Sequence, residues 1–151
     1  MTHPPYAIEI LLLEDEAADA YLVKMAFKNN KILATLHHVF DGREGLGFLQ
    51  QQGDFRNAPR PDLILLDLNM PRMNGYEFLV AVKNDERFKG IPIIVLSTSD
   101  IEKDVQISYQ LGAASYITKP TGMEQFSAVI KQLCDYWIHL AKLPCRHHYE
   151  H

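Results

Sequence analysis

A chain of 151 residues has room for one ordinary domain with a real core and no second full-sized module. Its net charge of −4 and the lack of any long Lys/Arg run exclude an affinity built on neutralising a nucleic-acid backbone or an anionic membrane surface, so neither is an expected partner. Cys134 and Cys145, eleven positions apart, resemble neither a disulfide framework nor a paired-thiol metal site. With no apolar stretch as long as a membrane span and no signal-peptide pattern in the opening MTHPPYAIEI, they suit a reducing cytoplasm.

Ile8 to Leu13 is an aliphatic run too short for a helix and suited to a buried strand; it ends in the acids Glu14, Asp15 and Glu16. Ala18, Tyr21, Leu22 and Met25 then recur at helical spacing until Asn29-Asn30 breaks the pattern. The alternation repeats with a strand about Ala34 to Val39, a helix about Gly42 to Gln51 and a polar loop through Gly53, Asp54 and Pro59-Arg60-Pro61. Gly42 and Gly45 follow the second strand, with no glycine-rich fingerprint beside the first, and are read as helix-start and packing residues. Leu63 to Leu68 is a third strand cut by Asp67, and Asn69 to Gly75 is turn chemistry before a helix from about Tyr76. Ile91 to Leu96 is a fourth strand ending in Ser97-Thr98-Ser99. Asp100 is placed to cap a helix to about Leu111, and Ser115 to Thr118 is a short fifth strand before Lys119-Pro120 and a last helix.

Five aliphatic strands alternating with five helices specify an open, doubly wound, five-stranded parallel α/β sheet with an extended C-terminal helix. Ligands of such sheets bind beyond the carboxyl ends of the strands. Those ends carry Glu14-Asp15, Asp67, Ser97 and Lys119. Crowded carboxylates resist ionisation unless a cation shares them, and oxygen-only donors suit a hard ion such as Mg²⁺. An aspartate in that setting can act as a nucleophile toward phosphorus, with metal, lysine and hydroxyl meeting the charge of the transferring oxygens. Taken singly, Asp15 reads as a helix cap, Ser97 as a turn residue and Lys119 as a solvated charge. Asp67 differs, because an unpartnered carboxylate inside Leu-Ile-Leu-Leu-Asp-Leu would be costly to bury.

These residues resemble the receiver domain of two-component response regulators, from about Ile8 to Leu140. Asp67 lies 52 positions after Asp15, Ser97 lies 30 after Asp67 and Lys119 lies 52 after Asp67, the spacing of chemotaxis-type receivers, and Leu66-Asp67-Leu68-Asn69-Met70-Pro71 with Gly75 matches their acceptor segment. The resemblance implies a flavodoxin-like receiver fold over residues 6–143 with a tail at 144–151, and a phosphoryl group accepted by Asp67 from a histidine kinase in a phosphorelay. It further implies Mg²⁺ held by Glu14 (through water), Asp15, Asp67 and the Asn69 carbonyl, Ser97 and Lys119 as phosphoryl-binding groups, and Ser97 and Tyr116 as the switch pair. On that reading the chain catalyses its own phosphorylation without being a turnover enzyme, and a cis peptide precedes Pro120. The chain departs from many members in having Glu-Asp for the acidic pair and Ser97 for a common Thr, both of which keep the chemical group.

On the last helix Met123, Phe126, Val129, Ile130, Leu133, Cys134, Tyr136, Trp137, Ile138, Leu140 and Ala141 cover roughly 220° of the wheel, against the stripe of about 100° that docking on one sheet requires. This predicts a homodimer through that helix, the alternative being that the chain's own tail covers the excess. Tyr136-Trp137 and Leu143-Pro144 resemble the extended C-terminus of cyanobacterial phytochrome response regulators. After about Leu143 no DNA-binding domain fits, so output is expected through protein contact, and the histidines of Arg146 to His151 are read as a solvated end. Two rival functions are a magnesium-dependent phosphatase, which wants an acid where Asn69 stands, and a phosphate-independent docking module, which has no need of a carboxylate cluster.

Overall fold

The structure, a computed structural model, describes residues 8–140. Five strands, β1 (Ile8–Leu13), β2 (Ala34–Val39), β3 (Leu63–Leu66), β4 (Ile93–Ser97) and β5 (Ser115–Thr118), alternate with α1 (Ala17–Asn29), α2 (Gly42–Leu49), α3 (Gly75–Lys83), α4 (Glu102–Gln110) and α5 (Met123–Cys134). The strands form one parallel sheet, as the sequence pattern predicts, and their order is β2-β1-β3-β4-β5. In this order the chain moves outward from β1 first to one side and then to the other, which opens a crevice at the carboxyl ends of β1 and β3.

Alternation within the central strands divides the core into two layers. Leu11, Leu13, Ile64, Leu66, Ile93 and Val95 point to one face, where Phe48 and Leu49 of α2 and Phe78, Leu79 and Val82 of α3 cover them. Ile10, Leu12, Leu63, Leu65, Ile94 and Leu96 point to the other, under Val23 and Phe27 of α1 and Phe126, Ile130 and Leu133 of α5. Because both faces are covered, these strands read as continuous aliphatic runs.

Helix ends differ from the sequence expectation in three places. α2 stops at Leu49, and Gln51 adopts a left-handed φ of 56° that no helix continues through. α4 has Ile101 at its N-cap position with no side-chain cap bond, so the expected cap Asp100 stands one residue before the helix cap; Ser99 Oγ accepts the Ile101 N–H at 3.3 Å. The last helix is α-helical to Cys134 and continues as a π-helical turn over Asp135–Leu140, instead of running on as one α-helix. Of the apolar face assigned to it, Ala141 lies outside the described residues, as do Cys145, the Leu143-Pro144 feature and the 144–151 tail with its histidines. No helix among the described residues is long and apolar enough to cross a membrane.

Candidate functional site

Backbone bonds fix the strand ends that carry the candidate residues. The Asp67 N–H donates to the Leu13 carbonyl at 3.0 Å, Glu14 N–H to Val39 at 3.0 Å, and Lys119 N–H to Ser97 at 2.6 Å. Each residue therefore emerges from the sheet rim at a set height, and a short polar side chain one step past a buried strand has nowhere to go but into the crevice. The loop after Asp67 is braced from both sides. Asn74 and Glu77 form a reciprocal capping box at the start of α3, and the N-cap of α2, buried Asp41, pairs with Arg72 and accepts the Glu44 N–H.

Glu14, Asp15 and Asp67 place carboxylate oxygens within 4.8 Å of one another. Glu14 and Asp67 are buried, at 2% and 7% exposure, which removes the water that would otherwise hold their charge. Burial, with the charge of Asp67 adding to it, pushes the Glu14 carboxyl up to about 7 although Lys119 opposes this. Asp67 is likewise raised, first by burial and then by the charge of Asp15, against the attraction of Lys119 and a bond from the Asn69 N–H. Two of three clustered carboxylates are thus short of counter-charge, and their donor set is entirely hard oxygen. That is what a site for Mg²⁺ or a similar divalent cation requires.

Lys119 reaches into the same crevice with its side chain only 5% exposed. Its ammonium pairs with Glu14, donates to Asp19 Oδ2 at 2.9 Å and stands 3.8 Å from Asp67 Oδ1. Burial pulls its affinity for the proton down, but the bonds to Glu14 and Asp19 and the Asp67 charge outweigh this and raise it, so Lys119 is charged. The peptide before Pro120 is trans, contrary to the expected cis bond. The Lys119 N–H bond to Ser97 and the two carboxylate partners already hold the side chain in the site with the trans isomer.

Ser97, the last residue of β4, is fully buried, and its Oγ accepts the Ser99 N–H at 3.2 Å, so the hydroxyl sits at the root of the β4–α4 loop. Thr98 is exposed. Tyr116 of β5 turns its ring toward the core, and its hydroxyl donates to the Ser99 carbonyl at 2.7 Å, tying the expected switch aromatic to the same loop. Asn69 is exposed two residues beyond Asp67.

Sequence reasoning missed two features. Asp19, on the first turn of α1, is a second anion on Lys119; its one sequence signal is that it follows the acidic pair by a helical turn. Asp104 of α4 accepts from Tyr76 of α3 at 2.6 Å and from Ser99 Oγ at 2.6 Å, a latch on the loop after Ser97. Nothing in the sequence pattern pairs these residues.

Comparison with known proteins bears on this arrangement. The family model described as the response regulator receiver domain matches residues 10–131. The chain belongs to that family. Response regulator Rcp1 of Synechocystis sp. is 40% identical over 143 residues, 95% of this chain and 96% of the relative. Among solved structures, the phosphorylated cyanobacterial phytochrome response regulator RcpA superposes with a TM-score of 0.87 at 41% identity, over 93% of this chain and 100% of the other. The Mn²⁺-bound form of Rcp1 superposes with a TM-score of 0.84 at 40% identity, over 91% and 99% of the two chains. The chain is thus a receiver-type response regulator of the two-component kind, similar to phytochrome response regulators, whose sheet and helices form the flavodoxin-like receiver fold. Receivers accept phosphoryl groups from histidine kinases and bind a divalent metal at their acidic pocket; they are not classical turnover enzymes.

Proposed function

We propose that Asp67 is the phosphoryl acceptor and that the chain catalyses its own phosphorylation with Mg²⁺ as the cation. The observation that carries this reading is the buried Asp67 carboxylate, which shares a three-carboxylate cluster and faces the Lys119 ammonium at 3.8 Å. Glu14, Asp15, Asp67 and the Asn69 carbonyl would hold the cation, Glu14 through water, and the cation would neutralise charge on the transferring phosphoryl oxygens. An Asp67 carboxylate oxygen attacks phosphorus in line, forming the O–P bond as the N–P bond of the kinase phosphohistidine breaks. The imidazole departs with the electron pair and takes up a proton. Lys119 then turns to a phosphoryl oxygen, and the Ser97 hydroxyl turns from the Ser99 amide toward another. That turn releases the root of the loop on which Tyr116 is anchored, so the charge change at Asp67 is carried to the surface of α4, β5 and α5.

The donor kinase on this reading is phytochrome-type, supported by the resemblance to RcpA and Rcp1. The receiver unit covers residues 6–143, works in the cytoplasm and signals through protein contact, not nucleic acid. A homodimer through the C-terminal helix is supported by Tyr136, 54% exposed beside Trp137, whose ring it meets edge-on at 5.2 Å. Sedimentation of the wild type against Tyr136→Glu tests the dimer: a shift of the variant to monomer supports it and a monomeric wild type refutes it.

Intact-mass measurement after incubation with acetyl phosphate, with and without Mg²⁺, tests the acceptor reading. A magnesium-dependent gain of one phosphoryl group by the wild type and none by Asp67→Asn is the expected result. Equal labelling of the variant would remove Asp67 from the role.

A further inference from the structure

We propose that Asp19 is a positioning residue of this site, drawing the Lys119 ammonium off the cation-binding carboxylates and thereby strengthening divalent-cation binding. The inference rests on the site reading given above. Lys119 Nζ bonds to Glu14 and to Asp19, but stands 3.8 Å from Asp67, beyond hydrogen-bond reach. An ammonium and a divalent cation that share Glu14 compete for it, because a carboxylate oxygen committed to the ammonium is not free to serve the cation or its water. Asp19 is not among the three carboxylates gathered within 4.8 Å, and it is fixed separately on the first turn of α1. It offers Lys119 a partner that remains when the cation takes Glu14.

Without Asp19, the Lys119 side chain, 5% exposed, has among the described residues only Glu14 and Asp67 to pair with, both of them cation ligands on this reading. Burial prevents the ammonium from escaping into water, so its competition with the cation becomes obligatory. An acid in the first turn of a helix also complements the helix dipole, a role that requires no contact with Lys119. The two roles separate cleanly, because only the positioning role depends on the lysine being present.

The experiment is Mn²⁺ binding to the full chain, read from the paramagnetic resonance of the free ion, for the wild type, Asp19→Asn, Lys119→Met and the double variant, with circular dichroism on each. Asp19→Asn should raise the Mn²⁺ Kd several-fold, and Asp19→Glu, which keeps a carboxylate, should restore most of the affinity. On the Lys119→Met background the Asp19→Asn shift in log Kd should fall to less than half. An undiminished shift without the lysine would show that Asp19 acts on the cation by charge alone and would overturn the proposal, as would an unchanged Kd in Asp19→Asn. Failure of the wild type to bind Mn²⁺ would overturn the site reading itself.

Discussion

Gly75 lies directly against the Asp67 peptide: a β-carbon there would stand 2.5 Å from the Asp67 carbonyl oxygen and 2.7 Å from Leu68 Cα. Both neighbours are backbone and cannot swing aside. Gly75 also donates its N–H to the Leu68 carbonyl at 2.9 Å, which seats the start of α3 on the loop after Asp67. Alanine normally favours a helix over glycine by about 1 kcal/mol, but overpacking costs roughly 1–3 kcal/mol, so Gly75→Ala should be net destabilising. Urea denaturation should show the loss, together with slower labelling by acetyl phosphate as the Asp67 peptide is displaced. A stabilised variant with normal labelling would contradict this packing.

The pH dependence of stability follows from the raised carboxyls. Glu14 titrates at about 7 in the folded chain against an ordinary 4.5, with burial the main cause, and Asp67 is shifted in the same direction. Between the ordinary and raised values the folded state binds more protons than the unfolded state, so stability falls as pH rises through that window. Lys119 is also raised, but it is protonated in both states throughout this range and adds no slope. In EDTA the Tm should therefore decline from about pH 5 to about pH 7, and Mg²⁺ should reduce the decline by supplying counter-charge to the folded state alone. A Tm that rises with pH in EDTA over this range would be incompatible with the cluster.

Tyr76 and Ser99 both donate to the Asp104 carboxylate, which their hydrogen bonds hold below the usual range. Burial and the Asp104 contact push the Tyr76 phenol well above its ordinary value, so the hydroxyl stays protonated as a donor. Tyr76→Phe removes one arm of the latch on the loop after Ser97, at a cost of about 1 kcal/mol. Hydrogen exchange should quicken at the Ser99 and Ile101 amides while the β1 and β3 amides remain protected. Unchanged exchange across residues 98–101 would show that the latch does not hold the loop.

The sheet was legible because its strands are buried on both faces: Leu63 to Leu66 needs no partner information to read as a core strand, and Asp67 stands out against it. Glu14 and Ser97 were legible for a related reason, since each falls at the first polar position where a buried strand meets the rim; Asp15 follows Glu14 directly, and Lys119 follows the short, partly exposed β5. What stayed hidden depends on side-chain reach between distant segments. Asp19 meets Lys119 across 100 positions of sequence, and an acid in a first helical turn already has a local explanation. Asp104 has the same disguise in α4, although its carboxylate serves Tyr76 and Ser99. The trans peptide at Pro120 and the π-helical turn after Cys134 reflect packing choices that neither proline content nor apolar periodicity encodes.

The most direct test of Asp67 as the covalent acceptor is to phosphorylate the chain with a phosphorylated histidine kinase in Mg²⁺, reduce the product with borohydride and map the peptides by mass. An acyl phosphate on a carboxylate is reduced to an alcohol, which marks the attacked residue. Conversion of Asp67 to homoserine, absent when EDTA replaces Mg²⁺, is the expected result. Homoserine at Asp15 or at any other acid, with Asp67 intact, would contradict the assignment.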